Sequence, residues 1–110
     1  MIIVKEPQPG FIEITGHADY GPSGKDIVCA GVSALTYAFA ASLNERGGGC
    51  KLLDDGKELN IVYKASEQEA NFLKDAFFIG LELIAREYPK NVQIERKRPS
   101  IEAVKSNGHA

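Results

Sequence analysis

The residues best suited to catalysis lie in one segment, from Gly16 to Leu35, which reads GHADYGPSGKDIVCAGVSAL. His17 follows a predicted strand, a glycine-containing loop comes next, and Cys29 falls in the first turn of a predicted helix. A helix N-terminus lowers the pKa of a thiol through its dipole and its free N–H groups. A neighbouring imidazole can accept the thiol proton and later return it to a leaving amine. The segment therefore offers a candidate Cys-His dyad, with N–H groups around Cys29 as candidates to bind an oxyanion.

Two further side chains of this segment admit two roles each. Asp26 could cap the helix by accepting the N–H of Cys29, or it could orient the imidazole of His17. Ser33 lies four residues after Cys29 on the same helix face, where it could hydrogen-bond near the thiol, although we expect it to bond back to the carbonyl of Cys29. A structural role stays open for the dyad too, because a cysteine among apolar residues is usually a small core residue and a lone loop histidine is usually solvated.

Nucleotide and metal sites are less well supported. Gly24-Lys25 matches the Gly-Lys pair of a phosphate-binding P-loop. The rest of that motif is missing, because no glycine lies five residues before Gly24 and Asp26 stands where the motif has a magnesium-binding Ser or Thr. A zinc site is the other candidate, built from His17, Asp19, Asp26 and Cys29. No paired spacing of cysteine or histidine supports it. We predict neither a metal nor a cofactor.

Three features outside the segment carry no predicted function. Cys50 is expected to be an ordinary strand residue, and His109 lies near the end of the chain. The basic run from Glu95 to Arg98 could touch RNA, but four residues at the end of a domain are expected to be simply solvated.

The same segment resembles the signature of the Prp family of ribosomal-processing cysteine proteases, whose pattern is roughly GHAxYxxxGxDIVCAxVSAL. The positions in register are Gly16, His17, Ala18, Tyr20, Gly24, Asp26, Ile27, Val28, Cys29, Ala30, Val32, Ser33, Ala34 and Leu35. Weaker similarity continues into Gly80-Leu81-Glu82-Leu83-Ile84 and Tyr88-Pro89, so the resemblance covers about residues 1 to 96. Two features depart from it: Gly31 stands where the family commonly has alanine, and residues 97–110 have no counterpart.

The resemblance implies a cysteine endopeptidase in which Cys29 is the nucleophile, His17 its base, and Asp26 and Ser33 support them. The implied reaction removes an N-terminal extension from a large-subunit ribosomal protein. Relatives in phages make a capsid-related protein the other candidate substrate. Family members are homodimers, and their substrates present apolar residues before the cut. We further predict a mobile loop that closes over the peptide as a lid, with Gly16, Tyr20, Gly21 and Gly24 as its key residues.

Two other classes of function remain open. A domain of the same fold could be a non-catalytic module that docks on a ribosomal protein or RNA, or a structural prophage protein without activity. A thiol-directed alkylating reagent separates these possibilities, because only an activated Cys29 should react much faster than Cys50.

The elements that must position the dyad follow the order ββαββαβ, which predicts an α+β two-layer sandwich with a mixed sheet and two long helices. Alanines at helical spacing in the first helix predict a stripe that lies close against the sheet: Ala30, Ala34, Ala38 and Ala41. Ser66 and Glu69 form a capping-box pattern at the start of the second helix, and Pro89 ends it. The predicted elements are strands at 2–4 and 11–15, a helix from 26 to about 46, strands at 50–53 and 59–64, a helix from 66 to 88, and a strand at 91–95.

Composition places the chain among ordinary globular proteins. It has 110 residues, 44% of them hydrophobic and 25% charged, with a net charge of −2. This predicts one domain over 1–96, followed by a polar, flexible tail at 97–110. The net charge gives no reason to expect binding to nucleic acid. We expect the apolar stretch at 27–43 to be a buried helix, and we expect no signal peptide. Two cysteines are too few for a disulfide scaffold, so we expect free thiols and a cytoplasmic protein. We also expect that the protein does not bind membranes.

Overall fold

The computed structural model describes residues 1–22, 24–46, 49–64 and 68–96. Seven elements follow in the predicted order. They are β1 (Ile2–Gln8), β2 (Phe11–Thr15), α1 (Ile27–Glu45), β3 (Lys51–Asp54), β4 (Glu58–Val62), α2 (Gln68–Glu87) and β5 (Val92–Arg96). Ser66, the glycines at 47 and 48 and the tail at 97–110 lie outside the described residues, and so do the predictions made for them.

The five strands form one mixed sheet in the order β3-β4-β2-β1-β5. β1 and β2 pair as an antiparallel hairpin, and β3 and β4 form a second one. β5 lies parallel to β1, with Ile2 opposite Val92. This register brings the start of β5 beside the start of β1, next to the loop that follows β2. The predicted α+β fold with a mixed sheet is confirmed.

Element bounds differ from the sequence prediction at two hairpins. β1 continues to Gln8, beyond the predicted end at residue 4, so only Pro9 and Gly10 separate it from β2. In the second hairpin Gly56 has a φ of +86° and donates its N–H to Asp54 Oδ1 at 2.8 Å. Asp55 Oδ1 accepts the N–H groups of Glu58 and Lys57, and these bonds hold the pKa of its carboxyl below its ordinary value.

The core lies between the sheet and the two helices. Inward-facing residues of four strands meet apolar residues of both helices there. Its members include Ile2, Val4, Ile12, Ile61, Val92, Val28, Val32, Phe39, Phe77, Phe78 and Leu81. Phe39 of α1 stacks on Phe77 of α2 with ring centroids 4.9 Å apart. Phe77 and Leu81 of α2 are buried, and Leu73 and Ile84 on the same side of the helix pack against this core.

The alanine stripe of α1 does not face the sheet, so that prediction is wrong. All four of its alanines are exposed, and the buried face of α1 is formed instead by larger residues. These are Val28, Val32, Thr36, Phe39, Ala40 and Leu43. Burying the larger side chains removes more apolar area from water than burying alanines would. The stripe, together with Tyr37, which is 51% exposed, leaves an uncharged face of α1 in solvent.

The two helices approach closely at two glycines. A Cβ placed on Gly31 of α1 would lie 3.3 Å from Ile84 Cδ1 of α2. A Cβ placed on Gly80 of α2 would lie 3.0 Å from both terminal methyl carbons of Leu35. The glycine at position 31 is one of the two departures from the family pattern, and it lies two residues after Cys29 in this helix contact.

By length and composition, α1 could cross a membrane. Its window has a mean hydropathy of 1.5, and 33% of that window is buried inside the fold. Core helices pass the same test, so this property alone does not place the chain in a membrane. The expectation of a buried helix holds for one face of α1 only.

A cluster of four charged side chains, three of them buried and one partly exposed, lies at the end of the sheet away from the loop after β2. Glu6 lies 3.5 Å from Lys74 Nζ and 3.9 Å from Arg96 Nε, and Arg96 also lies 3.7 Å from Asp75. We call these four residues the ionic cluster. The Arg96 guanidinium also stacks over the Phe78 ring at 4.0 Å, so the prediction of a solvated basic run is wrong for this residue. Burial and the Glu6 carboxylate together raise the pKa of the nearby Tyr63 phenol.

Candidate active site

An open cleft of about 580 Å³ lies where the loop after β2 meets the first turn of α1. Most residues selected from the sequence line it: His17, Gly21, Gly24, Asp26, Cys29 and Ser33. Asp19, a candidate zinc ligand, and Ala30 line it as well, whereas Gly16 and Tyr20 do not. The structure thus brings the two members of the predicted dyad into one cavity, although they are twelve positions apart in the chain.

Asp26 is the N-cap of α1. One of its carboxylate oxygens, Oδ1, accepts the N–H groups of Val28 and Cys29, both at 3.0 Å. These bonds satisfy donors that a helix start leaves without partners, which is why the helix begins here and why Cys29 occupies its third position. The predicted cap is confirmed.

The second oxygen of Asp26 ties the loop to the helix. Oδ2 accepts the N–H groups of Tyr20 at 2.9 Å and of Gly21 at 3.1 Å. The bond from Cys29, followed by those of the loop, holds the pKa of this carboxyl below its ordinary value of 3.8, although partial burial opposes the shift. With both oxygens occupied by backbone donors, no hydrogen bond joins Asp26 to the ring of His17 in the described part of the chain. The structure therefore favours the cap over the role of orienting the histidine.

The cap also changes which groups can bind an oxyanion. The N–H groups of Val28 and Cys29 donate to the Asp26 side chain, and that of Ala30 donates to the Asp26 carbonyl at 3.0 Å. A donor that is already bonded is not available to a developing oxyanion in this state. These three N–H groups are therefore engaged in this unliganded structure, and their predicted role in an oxyanion hole stays a prediction.

Cys29 receives a hydrogen bond from the residue after the histidine. The N–H of Ala18 points at Cys29 Sγ from 3.5 Å, and the thiol is half-buried. His17 itself is exposed, and within the described residues no hydrogen bond joins its ring to the sulfur. The imidazole lines the same cleft as the thiol. His17 directly precedes Ala18, so the bond from the Ala18 N–H to the sulfur also keeps the histidine close to the thiol.

Ala18 is held from its other side by a residue that sequence reasoning missed. Its carbonyl accepts a hydrogen bond from Asn91 Nδ2 at 2.8 Å, and the residue is completely buried. Asn91 is 73 positions away and precedes β5. The parallel pairing of β5 with β1 brings Asn91 beside Ala18. No local sequence motif predicts a contact between residues so far apart in the chain.

Further contacts hold the first half of the loop. Asp19, at a φ of +56°, pairs with the Met1 amino group at 3.3 Å. The Tyr20 ring packs edge-on against Tyr88 with centroids 5.1 Å apart. Gly16 has a φ of +84°, and a Cβ there would overlap the Met1 carbonyl oxygen. These contacts anchor the first half of the loop, and its role as a lid stays a prediction.

Ser33 faces the cleft and is exposed. The expected bond from its hydroxyl to the Cys29 carbonyl is not formed among the described residues. The hydroxyl that does bond back in α1 belongs to Thr36, which donates to the Val32 carbonyl at 2.7 Å. Ser33 is therefore free to face a ligand in the cleft.

A zinc site does not form in this cleft. In residues 1–22, 24–46, 49–64 and 68–96, no group of three or more His, Cys, Asp or Glu side chains is placed to hold a metal ion. The carboxylate of Asp26, one of the candidate ligands, is instead occupied by four backbone N–H groups.

A thiol in the first turn of a helix, with an imidazole lining the same cleft, is the arrangement of a cysteine-dependent hydrolase. The family model described as Cysteine protease Prp matches residues 2–93, and the chain belongs to this family. It is a cysteine protease.

Individual relatives agree with this assignment. The ribosomal processing cysteine protease Prp of Bacillus subtilis (strain 168) is 31% identical over 90 residues, which cover 74% of this chain and 80% of the relative. The protein of the same name from Staphylococcus aureus (strain Mu50) is 30% identical over 86 residues, covering 74% and 81%. A crystal structure of Prp from S. aureus in complex with a covalently linked product peptide has a TM-score of 0.79 at 26% identity, covering 88% of this chain and 100% of that one.

Proposed function

We propose that this protease removes an N-terminal extension from a large-subunit ribosomal protein, with Cys29 as nucleophile and His17 as base. The observation that carries the proposal is the shared cleft, in which the Cys29 thiol at the start of α1 and the His17 imidazole face one cavity. The names of the relatives from B. subtilis and S. aureus, which are ribosomal processing proteases, support the substrate class.

The reaction proceeds in two stages. His17 accepts the proton of the Cys29 thiol, and the thiolate attacks the carbonyl carbon of the scissile peptide. The resulting tetrahedral intermediate collapses when His17 protonates the departing amine, which leaves a thioester on Cys29. A water molecule, deprotonated by His17, then attacks the thioester and releases the new carboxylate together with the thiol. The absence of a His17–Cys29 hydrogen bond fits an unliganded site whose catalytic contacts tighten with substrate.

The cleft supports a peptide as substrate. It is open to solvent, and the exposed Ala30 and Ser33 of α1 line it together with Cys29. Ile27 is 59% exposed at the start of the same helix, which offers apolar contact to the residues before the cut. The S. aureus relative has been crystallised with a covalently linked product peptide, and we place the peptide of this chain in the equivalent cleft.

We further propose that the protein is a homodimer. The exposed face of α1 carries no charged side chain from Ile27 to Leu43, and an uncharged surface of this kind is typical of protein contacts. Tyr37→Glu in the middle of this face should shift a dimer towards monomer in analytical ultracentrifugation. Gln93→Glu, an exposed position on β5, is the matched control. A wild-type protein that sediments as a monomer at all concentrations would contradict this proposal.

The proposed location is the cytoplasm. The thiol must stay reduced to act as nucleophile, and both cysteines are free in the structure. A fusion to a fluorescent protein, expressed in the bacterial host and fractionated, should appear with the soluble cell content. Recovery in the membrane fraction would contradict it.

Cleavage of defined proteins tests the substrate. The protease is incubated with a large-subunit ribosomal protein that carries its N-terminal extension and, separately, with a phage capsid-related protein. Mass spectrometry then searches for a new N-terminus. We expect a single new N-terminus in the ribosomal protein, absent with Cys29→Ser. Cleavage of the capsid-related protein alone would replace the proposed substrate, and binding of either protein without cleavage would favour the non-catalytic module.

A further inference from the structure

The contact between Asn91 and Ala18 lies beside the cleft and involves a residue outside the family pattern given above. Asn91 Nδ2 donates to the Ala18 carbonyl at 2.8 Å, and the Ala18 N–H points at Cys29 Sγ from 3.5 Å. A carbonyl oxygen only accepts hydrogen bonds, so the amide group that faces it must be the NH₂ group. The two bonds form a short chain from β5 to the sulfur.

Asn91 is itself fixed on both sides. Its backbone N–H donates to the Tyr88 carbonyl at 3.0 Å, and its carbonyl accepts the Ile2 N–H at 2.8 Å. The side chain therefore projects from a backbone that the end of α2 and the start of β1 hold in place. A donor held this firmly loses little conformational entropy when it bonds.

Ala18 has little freedom once its carbonyl is held. Its side chain is completely buried, so the residue cannot turn without leaving the core. The other ties on this part of the loop act one or more residues further along: the exposed and therefore weak pair between Asp19 and the Met1 amino group, and the bonds from Tyr20 and Gly21 to Asp26. The bond from Asn91 is made to the Ala18 carbonyl itself, so it acts directly on the direction of the Ala18 N–H.

We propose that Asn91 is a positioning residue, which holds the Ala18 N–H against the Cys29 sulfur and so stabilises the thiolate form of the nucleophile. A hydrogen bond to the charged form of a group favours that form over the neutral one. The proposal deepens the proposed function, because it rests on Cys29 as the nucleophile. The other ionisable groups around the thiol are His17, Asp19 and Asp26 of the same cleft, with the Met1 amino group on Asp19 and the Tyr88 phenol beyond Tyr20.

Alkylation of the two thiols as a function of pH tests this without any substrate. The wild-type chain and the Asn91→Ala variant are treated with iodoacetamide at pH values from about 5 to 10. Mass spectrometry of the peptides gives the alkylation rate of Cys29 and of Cys50 separately, and the pH at half-maximal rate is the midpoint of each thiol. We expect the midpoint of Cys29 to rise by about one pH unit in Asn91→Ala. Cys50, which faces none of these groups, should keep its midpoint. Gln93→Ala is the control, because this exposed side chain bonds only to Glu95 on the same strand among the described residues.

A second variant removes the N–H itself. A full-length chain assembled by ligation with lactic acid in place of Ala18 has an ester where the peptide N–H was. It should show the same rise of the Cys29 midpoint, and combining it with Asn91→Ala should add little, because both changes remove one interaction. This variant also serves if Asn91→Ala does not fold, as judged by circular dichroism.

The outcomes separate cleanly. An unchanged Cys29 midpoint in either variant overturns the proposal, and so does an equal shift of both thiols in Asn91→Ala, since that indicates general loosening of the fold. With a cleavable peptide, kcat at pH 7 should fall about tenfold in Asn91→Ala while KM stays within about twofold. Failure to find the natural substrate leaves the alkylation result intact, so the two proposals fail independently.

Discussion

Asp26 accepts the backbone N–H of Cys29 at 3.0 Å with one carboxylate oxygen, and its other oxygen holds the loop that follows the histidine. One side chain thereby fixes both the start of α1 and the approach of the loop to the thiol. Because all four bonds go to a charged acceptor, the ionised form of Asp26 is favoured in the folded state.

Asp26→Asn should lower stability in a way that depends on pH. The amide keeps one acceptor oxygen, but its NH₂ group would face the N–H groups of Tyr20 and Gly21. The pKa of Asp26 lies below its ordinary value of 3.8 in the folded state, so its contribution is fully present above that value and is lost as pH falls through the folded pKa. Urea denaturation of both proteins should show a difference that is constant above about pH 5 and shrinks below about pH 4.

The lowered pKa of Asp55 gives both proteins a common acid sensitivity, which cancels in this comparison. A difference in unfolding free energy that stayed constant down to about pH 2.5 would contradict the role of the charge.

The loop glycines should differ in their tolerance of alanine. Gly16→Ala should damage folding most, because its Cβ would meet the Met1 carbonyl oxygen at a left-handed φ. Gly24→Ala has open space but a φ of +82°, so it should cost about 1 kcal/mol. Gly21→Ala should be close to neutral, since its Cβ would meet the Lys25 carbonyl oxygen at an ordinary 3.5 Å. Thermal unfolding and cleavage rates check this order.

Equal effects of Gly21→Ala and Gly24→Ala on cleavage would contradict this account of the loop. Amide exchange adds the test of the lid: binding of a peptide should raise protection around Gly24 more than in α1. Loop amides that are already fully protected without peptide would leave the loop as a connector only.

The glycines at the helix contact form a matched pair. Gly31→Ala should stabilise the protein by up to about 1 kcal/mol, because alanine favours the helix and its Cβ meets only the tip of Ile84. Gly80→Ala should be less stable than Gly31→Ala by about 1–2 kcal/mol, since two methyl carbons of Leu35 must move. Denaturant unfolding of the two variants side by side measures the difference. The reverse order would show that the helices pack differently from the structure.

The ionic cluster should matter far more than a surface pair. Glu6→Gln leaves the buried Lys74 and Arg96 with less compensation and should cost about 3 kcal/mol or more. Glu69→Gln removes an ion pair with Arg46 in which both side chains are more than 60% exposed, and should cost less than about 1 kcal/mol. Chemical denaturation compares the two. Similar losses would mean that the cluster is more hydrated than its burial indicates.

The sequence predicted the site where its signals are local. The order of elements, the cap at Asp26 and the shared cleft of His17 and Cys29 follow from turn residues, capping chemistry and the family signature, all of which lie within short stretches. Helical spacing also showed which alanines share a face of α1. It could not show which face is buried, because α1 is apolar on most sides. The face with the larger side chains packs into the core.

Contacts between distant strands were beyond sequence reasoning. Arg96 is buried because β5 pairs with β1 and brings it opposite Glu6. Asn91 reaches Ala18 through the same pairing. Sequence reasoning also treated two features separately that the structure combines: the Asp26 cap accepts the N–H groups of Val28 and Cys29, which are among the donors proposed for the oxyanion.

Replacement of each cysteine tests the central claim most directly. Cleavage of a peptide with an apolar residue before the cut is measured with wild type, Cys29→Ser and Cys50→Ser. Cys29→Ser should lose activity by about a thousandfold or more while keeping its circular dichroism spectrum, because a hydroxyl is far less acidic than a thiol. Cys50→Ser should stay within about twofold, since burial raises the pKa of the Cys50 thiol and it does not line the cleft. Full turnover by Cys29→Ser, or its loss in Cys50→Ser alone, would contradict the account.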